Sequence, residues 1–279
     1  MNPILRPMTL ADIPAGLEFC RESGWNQTPG DWELLIGLAP AGALVAEADG
    51  VVVGTVINLP YRPAFDWIAM MLVRESLRGQ GIGRVLMGAA LKMSRGTVKL
   101  DATDAGRRLY LTLGFEDEFT LARWRREPSI RRESKGSARP ITDRDWEEIA
   151  ATDVEAFGAD RRRVLRWCRE TAPDYAWALQ SAGRLQGYVL GRHGHNSEHI
   201  GPLVATSADA AAELLTSCLA RVHGRPITID APDAQAAFAP TLESLGFTRQ
   251  RNFTRMARDG HPSTGQVPKV FAVAGPELA

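Results

Sequence analysis

In this chain of 279 residues, the run Arg78-Gly79-Gln80-Gly81-Ile82-Gly83-Arg84 concentrates the chemistry. Glycines without Cβ let a backbone approach a ligand closely, and the first N–H groups of a helix have no acceptor within it. Their partial positive charge favours an anion such as a pyrophosphate, and Arg78 and Arg84 can add charge-assisted contacts. Spacing excludes two familiar phosphate loops. The dinucleotide fingerprint G-x-G-x-x-G fails because Arg84 stands where the last glycine is needed, and the G-K-[ST] triplet of a P-loop does not occur here.

A loop of this kind needs a strand to deliver it and a helix to receive it. The apolar run Trp67 to Val73 reads as a buried strand, and Ile82 to Arg95 as an amphipathic helix. Upstream, a short strand holding Ile4 leads to helical stretches, Leu10 to Arg21 and Asp31 to Leu38, and then to a hairpin, Ala43 to Leu59. Downstream come a strand, Val98 to Ala102, a helix, Ala105 to Leu113, and a last strand, Phe119 to Arg125. The pattern is mixed α/β, with an antiparallel first half and a β-α-β unit in its middle.

The order is written twice. RPMTLAD from Arg6 recurs as RPITDRD from Arg139, and the same spacing relates Pro40 to Pro173, Gly50 to Gly183 and Gly54 to Gly187. KLDATDA from Lys99 is matched by TIDAPDA from Thr228, and LGF at Leu113 by LGF at Leu245. The expected organisation is a first domain over 1–130, a linker over 131–137 and a second domain over 138–279. The basic stretch of the linker, with Arg123, Arg125 and Arg126 before it, reads as a solvated edge. In the second copy the strand His199 to Ala205 is followed by Thr206-Ser207-Ala208-Asp209, without glycine or arginine, and Asp209 puts negative charge where an anion would bind. One anion site is expected, in the first copy.

Composition bounds the rest. Lys plus Arg is 33 and Asp plus Glu is 33, so no global field favours nucleic acid or a membrane surface. The longest apolar run is far shorter than a spanning helix, and MNPILRPMTL shows no signal-peptide core. Cys20, Cys168 and Cys218 are odd in number and lack C-x-x-C spacing, which suits reduced core thiols of a cytoplasmic protein. His193, His195 and His199 have ligand-like spacing but no accompanying cysteine or carboxylate signature beyond Glu198, so no metal is expected. Composition leaves monomer and homodimer both open.

Arg78-x-x-Gly81-x-Gly83, between a buried strand and an amphipathic helix, resembles the R/Q-x-x-G-x-G/A motif of the GCN5-related N-acetyltransferases, the GNAT superfamily. DAGRRLYLTLGF, Asp104 to Phe115, resembles the family's next helix, whose tyrosine lies four residues before a G-F pair; Tyr110 has that place. In the second copy Leu242 stands there instead. The likeness is strong over 1–127, and the rest resembles the diverged second domain of tandem GNAT proteins. It implies two tandem GNAT folds, acetyl-CoA as donor and a small-molecule amine as acceptor.

On that resemblance, backbone groups of Met71, Leu72 and Val73 bind the pantetheine arm, and the loop Arg78, Gly79, Gln80, Gly81, Ile82, Gly83 and Arg84 holds the pyrophosphate, with Asp104 and Arg107 also on the cofactor. The amine attacks directly, a strand N–H stabilises the oxyanion, and Tyr110 protonates the leaving thiolate. Asp66 beside the central strand is the candidate base, with Glu75 or a water chain as alternatives. Trp25, Asn26, Asp31, Tyr61 and Trp67, with Trp32 and Phe65, are candidate walls of an acceptor pocket, where aromatic faces beside a carboxylate would suit a cationic amine; core packing is the other role such aromatics play. A non-catalytic acyl-CoA-binding protein and a protein or peptide acetyltransferase are the competing functions.

Overall fold

The repeated motif does the same work in both copies. Arg6 donates to both carboxylate oxygens of Asp12 at 2.8 and 2.9 Å, and Arg139 grips Asp145 at 2.6 and 2.8 Å. Thr9 and Thr142 each close a capping box on the same carboxylate. The device turns the first strand into the first helix at a fixed angle.

The computed structural model describes residues 3–128, 136–222, 224–259 and 265–279, so most of the expected linker lies outside the described residues. The first copy runs β1 (Ile4–Pro7), α1 (Ile13–Glu22), α2 (Pro29–Leu38), β2 (Ala43–Ala48), β3 (Val51–Tyr61), β4 (Phe65–Val73), α3 (Ile82–Met93), β5 (Val98–Ala102), α4 (Asp104–Leu111) and β6 (Glu116–Arg126). The second runs β7 (Arg139–Pro140), α5 (Trp146–Phe157), α6 (Arg162–Thr171), β8 (Trp177–Ser181), β9 (Arg184–Arg192), β10 (Glu198–Ala205), α7 (Ala208–Leu219), β11 (Ile227–Pro232), α8 (Ala239–Ser244) and β12 (Thr248–Arg258), followed by β13 (Val270–Ala272). The elements expected in the first copy are present with ends shifted by a few residues, as fraying and capping dictate.

The two copies are not beads on a string. They share one sheet of order β1-β2-β3-β4-β5-β12-β6-β11-β10-β9-β8-β7, with β13 paired to β10. Each copy's long last strand reaches past its own sheet: β12 lies between β5 and β6, and β6 lies between β12 and β11. Reciprocal ion pairs mark the exchange. Arg123 of β6 donates to Asp230 of β11 at 2.8 and 2.7 Å, and Arg255 of β12 donates to Asp101 of β5 at 2.8 Å through two nitrogens. Asp101 and Asp230 are the aspartates of the repeated KLDATDA and TIDAPDA.

Alternate residues of each strand feed opposite faces. On one face, α1, α2, α5 and α6 pack into a single core that includes Phe19, Trp32, Trp67, Ile149, Phe157 and Tyr188. On the other, α3 and α4 cover the first copy around Ile82, Leu86 and Tyr110, and α7 and α8 cover the second around Leu214 and Phe238. Cys20, Cys168 and Cys218 are all buried, and burial pushes the Cys20 and Cys168 thiols up to about 12. Among the described residues no helix is long and apolar enough to cross a membrane.

In each copy the central parallel pair is short. β4 meets β5 only at Asp66–Val98 and Trp67–Lys99, and β10 meets β11 only at Glu198–Ile227 and His199–Thr228; beyond those pairs the strands splay. The second copy's splay is filled from within. β13 pairs with β10 at Leu203 and Val204, and the Val273 N–H donates to Asp230 O of β11 at 2.9 Å. His199 is sealed beneath, its Nε2 3.3 Å from Val273 O.

Two outcomes follow from this packing. Met256, fully buried among first-copy residues although it belongs to β12, should cost ~2–5 kcal/mol as Met256→Ala. Because the sheet is shared, hydrogen exchange in β3 and β9 should report the same loss; a loss confined to β3 would contradict one cooperative unit. Burial, with Arg192 adjacent, lowers the His199 imidazole from 6.5 to about 4. Below pH 6.5 the unfolded chain binds a proton that the folded chain refuses, so stability falls as pH drops from 6.5 to about 4. His199→Asn should lose less stability than the parent over that window, by roughly 3 kcal/mol, in urea titrations at its two ends. Equal losses would refute the assignment.

Candidate functional site

In the first copy no chain segment among the described residues fills the splay. A cavity of about 680 Å³ opens there instead and reaches both faces of the sheet, from Gly83 and Tyr110 on the α3–α4 side to Arg251 and Glu277 on the other. Its floor is β4 from Ile68 to Val73. Here β4 bulges against β3, with the pairing shifting between Thr55 and Ile57, and Met70 takes a left-handed φ of 50°. The Thr55 hydroxyl donates to Met70 O at 2.7 Å and holds the bulge from behind. Bulging next to a splay re-aims backbone groups into the cavity, where a ligand can pair with them.

The glycine loop forms the cavity's α3 end. Gly81 caps α3 with φ at 87°, a conformation open to glycine, and no side chain satisfies the first N–H groups of that helix. Arg78 donates to Val73 O at 3.1 Å and Ser23 Oγ at 3.1 Å, tying the loop to the end of β4 and to the α1–α2 connection. Gly83 faces Met71, where an added Cβ would lie 3.4 Å from its methyl carbon. The matching end of α7 is capped by Ser207, which accepts from Ala210 N, with Asp209 in the first turn. One helix start can take an anion and the other is closed.

Tyr110 lies against the cavity on α4, packed at 5.9 Å between ring centroids against Phe115. Burial pushes its phenol up to about 12, so it stays protonated at neutral pH and carries a proton beside the cavity. Met71, Leu72, Val73, Arg78, Gly79, Gly81, Ile82, Gly83 and Arg84 all line the same cavity. Gln80 sits exposed at the loop tip outside the lining. Asp104 and Arg107 also fall outside it; Arg107 instead pairs with Asp117 on the surface.

The acceptor wall differs from expectation. Trp25 and Asn26 do line the cavity, but the Asn26 amide is engaged with the second copy: Oδ1 accepts from Asn196 N and Ser197 N, and Nδ2 donates to Ser197 O at 2.9 Å. Asp31, Tyr61 and Trp67 do not line it. Asp31 is fully buried, capping α2 through Thr28 and pairing with Arg192 at 2.9 Å. Tyr61 donates to Leu278 O at 3.0 Å and Trp67 Nε1 to Pro276 O at 3.1 Å, so the 273–279 segment covers both. Trp32 and Phe65 are core residues as well.

Asp66 is the clearest correction. It stands where β4 still pairs with β5, before the splay, and both oxygens are taken: Arg62 donates to Oδ1 and Oδ2 at 3.0 and 3.1 Å, and Arg95 N to Oδ2 at 2.8 Å. A carboxylate so saturated is a structural anchor and does not reach the cavity. Glu75, on the turn after β4, is not part of the lining.

Several lining residues come from elsewhere in the chain: Gln27, Asp101 and Thr103 of the first copy, Arg123 on the exchanged β6, Arg251 and Phe253 on β12, and Pro276 and Glu277. The repeated aspartates were one sequence signal toward this set; Arg123, expected on a solvated edge, is instead largely buried against Asp230 because β6 lies inside the shared sheet. Burial pushes the Asp101 carboxyl up against the pull of Arg255. Glu277 is buried and paired with Arg192. Of the histidines, His193 bonds Glu198 at 2.7 Å, in a cluster with Tyr175 and Arg225 on the second copy.

Comparison with known proteins agrees with this architecture. Two family models, each described as an acetyltransferase (GNAT) domain, match residues 39–117 and 149–272. An uncharacterized N-acetyltransferase of Bacillus subtilis, YitH, is 27% identical over 193 residues, 64% of this chain and 65% of that protein, so the match spans just under two thirds of the relative. The holothin acyltransferase of a Pseudoalteromonas species is 23% identical over 275 residues, 98% of this chain and 93% of that one. A solved structure from Pyrococcus horikoshii shares the fold with a TM-score of 0.81 at 24% identity, over 99% of this chain and 96% of that one. Two matched domains in one shared sheet, one with an uncapped glycine-led helix start and one with a capped start, place the chain in the GCN5-related N-acetyltransferase superfamily of acyl-CoA-dependent enzymes, as a tandem member.

Proposed function

We propose that the chain transfers the acetyl group of acetyl-CoA to the primary amine of a small molecule, at a single site in the first copy. The observation that carries this reading is the contrast between the two splays. In the second copy an extended segment, β13, bridges β10 and β11 by backbone hydrogen bonds. In the first copy the equivalent slot is a cavity, and a pantetheine arm, with its two amides, is an extended chain of the same hydrogen-bonding kind. On this reading β4 backbone groups from Met71 to Val73 hold the arm. The Gly79-to-Gly83 loop and the uncapped start of α3 hold the pyrophosphate, with Arg78 and Arg84 beside it.

Acetyl-CoA supplies a thioester whose carbonyl carbon the amine nitrogen attacks, the C–S bond breaking. The re-aimed N–H groups of the β4 bulge would polarise the carbonyl oxygen. The amine attacks as the neutral base, its ammonium proton lost to solvent beforehand. Tyr110, held neutral by burial, would give its proton to the departing sulfur and take up the one released by the acetylated nitrogen, so that the phenol is restored. The acceptor enters from the opposite face, between the α1–α2 connection and the 276–277 segment, a confined approach that suits a small molecule better than a folded protein. Residues 1–130 thus carry the chemistry, and 138–279 complete its wall, in a protein that we place in the cytoplasm.

Tyr110→Phe should lower turnover by roughly 10²-fold with little change in acetyl-CoA affinity, read by free-thiol release and calorimetry. Unchanged turnover would remove Tyr110 from the acid role. Arg78→Ala should weaken acetyl-CoA binding by about tenfold, and a variant binding it as tightly as the parent would contradict the loop assignment.

A further inference from the structure

Among the described residues Arg251 is a half-buried arginine with no ion-pair partner, in a molecule where most buried charges have one. It projects from β12 on the same face as Phe253 and Arg255, the side of the sheet away from the glycine loop. Its guanidinium lies 4.9 Å from the centroid of Phe253, and Arg123 lies over the same ring at 5.1 Å. Arg123 is neutralised by Asp230, and Arg255 by Asp101. Among the described residues the Arg251 side chain makes no hydrogen bond and no ion pair, although it is half-buried in the cavity wall. Burial and the neighbouring Arg123 make its positive charge harder to hold, and Asp230, already bonded to Arg123, offsets this only in part; an incoming anion would relieve the rest.

The same end of the cavity also carries a surplus of the opposite sign. Arg192 is shared between Asp31 and Glu277, so this buried trio keeps one negative charge in excess. Glu277 Oε1 takes the Arg192 bond, and Oε2 accepts none from any described residue. Gln27, buried and also part of the lining, has an Oε1 with no donor. Among the described residues, this end of the cavity thus offers one cation without an ion pair and two acceptor oxygens without a donor.

From this arrangement we infer that the acceptor is an amine that also carries a carboxylate, its carboxylate taken by Arg251 and its ammonium by Glu277 and Gln27. The inference rests on the acetyl-transfer reading above and narrows its substrate to amino acids and related amino-carboxylates. Arg251 cannot lose its charge at working pH, and its planar fork matches a carboxylate through two parallel bonds. An amine lacking the carboxylate would leave that buried charge unpaired, which is how a site rejects a near-isostere.

Matched probes test it: phenylalanine with phenylalaninamide and phenethylamine, and 4-aminobutyrate with butylamine. Binding to the acetyl-CoA-loaded protein is measured by calorimetry, and turnover by free-thiol release. For at least one set the carboxylate member should bind about tenfold or more tightly than its partners. Arg251→Gln should abolish that preference while acetyl-CoA affinity stays as in the parent, and Arg251→Lys should retain part of it. Equal binding of carboxylate and non-carboxylate members, or a preference that survives in Arg251→Gln, would overturn the inference. A carboxylate preference lost in Arg251→Gln but without thiol release would sustain the Arg251 assignment and overturn the acetyl-transfer reading instead.

Discussion

Everything in this molecule depends on β12 lying between β5 and β6. That placement converts two repeats into one sheet and obliges each copy to finish the other. The ion pairs Arg255–Asp101 and Arg123–Asp230 sit at the crossing, with both aspartates fully buried as side chains. Buried pairs of this kind add little net stability against apolar substitutes, but breaking one leaves a buried charge uncompensated. A slip of β12 by one residue would send Arg255 to the α3 face and Met256 to the other, losing an ion pair and a core contact together. The pairs therefore act as register pins.

Duplication supplied two splays, and the chain uses them differently. A splay between parallel strands exposes backbone groups that must be paired by something. In the second copy the chain pairs them itself, through β13 and Val273, and Ser207 closes the helix start that an anion would need. In the first copy the groups remain available in a cavity with Tyr110 on one side and charged residues on the other. The segment that plugs the second splay then continues across the shared face, covers Trp67 and Tyr61, and delivers Glu277 to the first. The second copy is thus structural support for the first and part of its cavity wall together.

The two sides of the cavity are different electrostatic environments. On the α3 side the positive character comes from backbone N–H groups, backed by arginines that remain partly solvated. On the other side charge is carried by buried side chains, most of them cancelled in pairs. In such surroundings an uncancelled charge is worth more than on a surface, because solvent screens it less. That is why single residues such as Arg251 and Glu277 can decide what binds.

Much of this was legible in the chain. The period of the repeat, the helix and strand around Arg78 to Gly83, the absence of that loop from the second copy and the position of Tyr110 all rest on local patterns of residues close in sequence. Local patterns report backbone conformation, so the loop, the α3 start and α4 fall where the spacing puts them. Asp66, Tyr61, Trp67 and Asp31 were misread for the converse reason. Residue type and nearness to the central strand suggested a site, but whether a side chain meets a cavity depends on where β4 leaves β5 and on what covers it. Both are set by long-range partners: Thr97 and Val98, Pro276 and Leu278. The exchange of β6 and β12 was equally invisible, because a strand's sequence specifies which face is apolar and not which neighbour it pairs with. The sequence by itself determined one glycine loop at a helix start on a duplicated fold. Only the tertiary structure decided that residues from both copies wall the cavity beside it, since strand pairing at long range is fixed by the packing of the whole sheet.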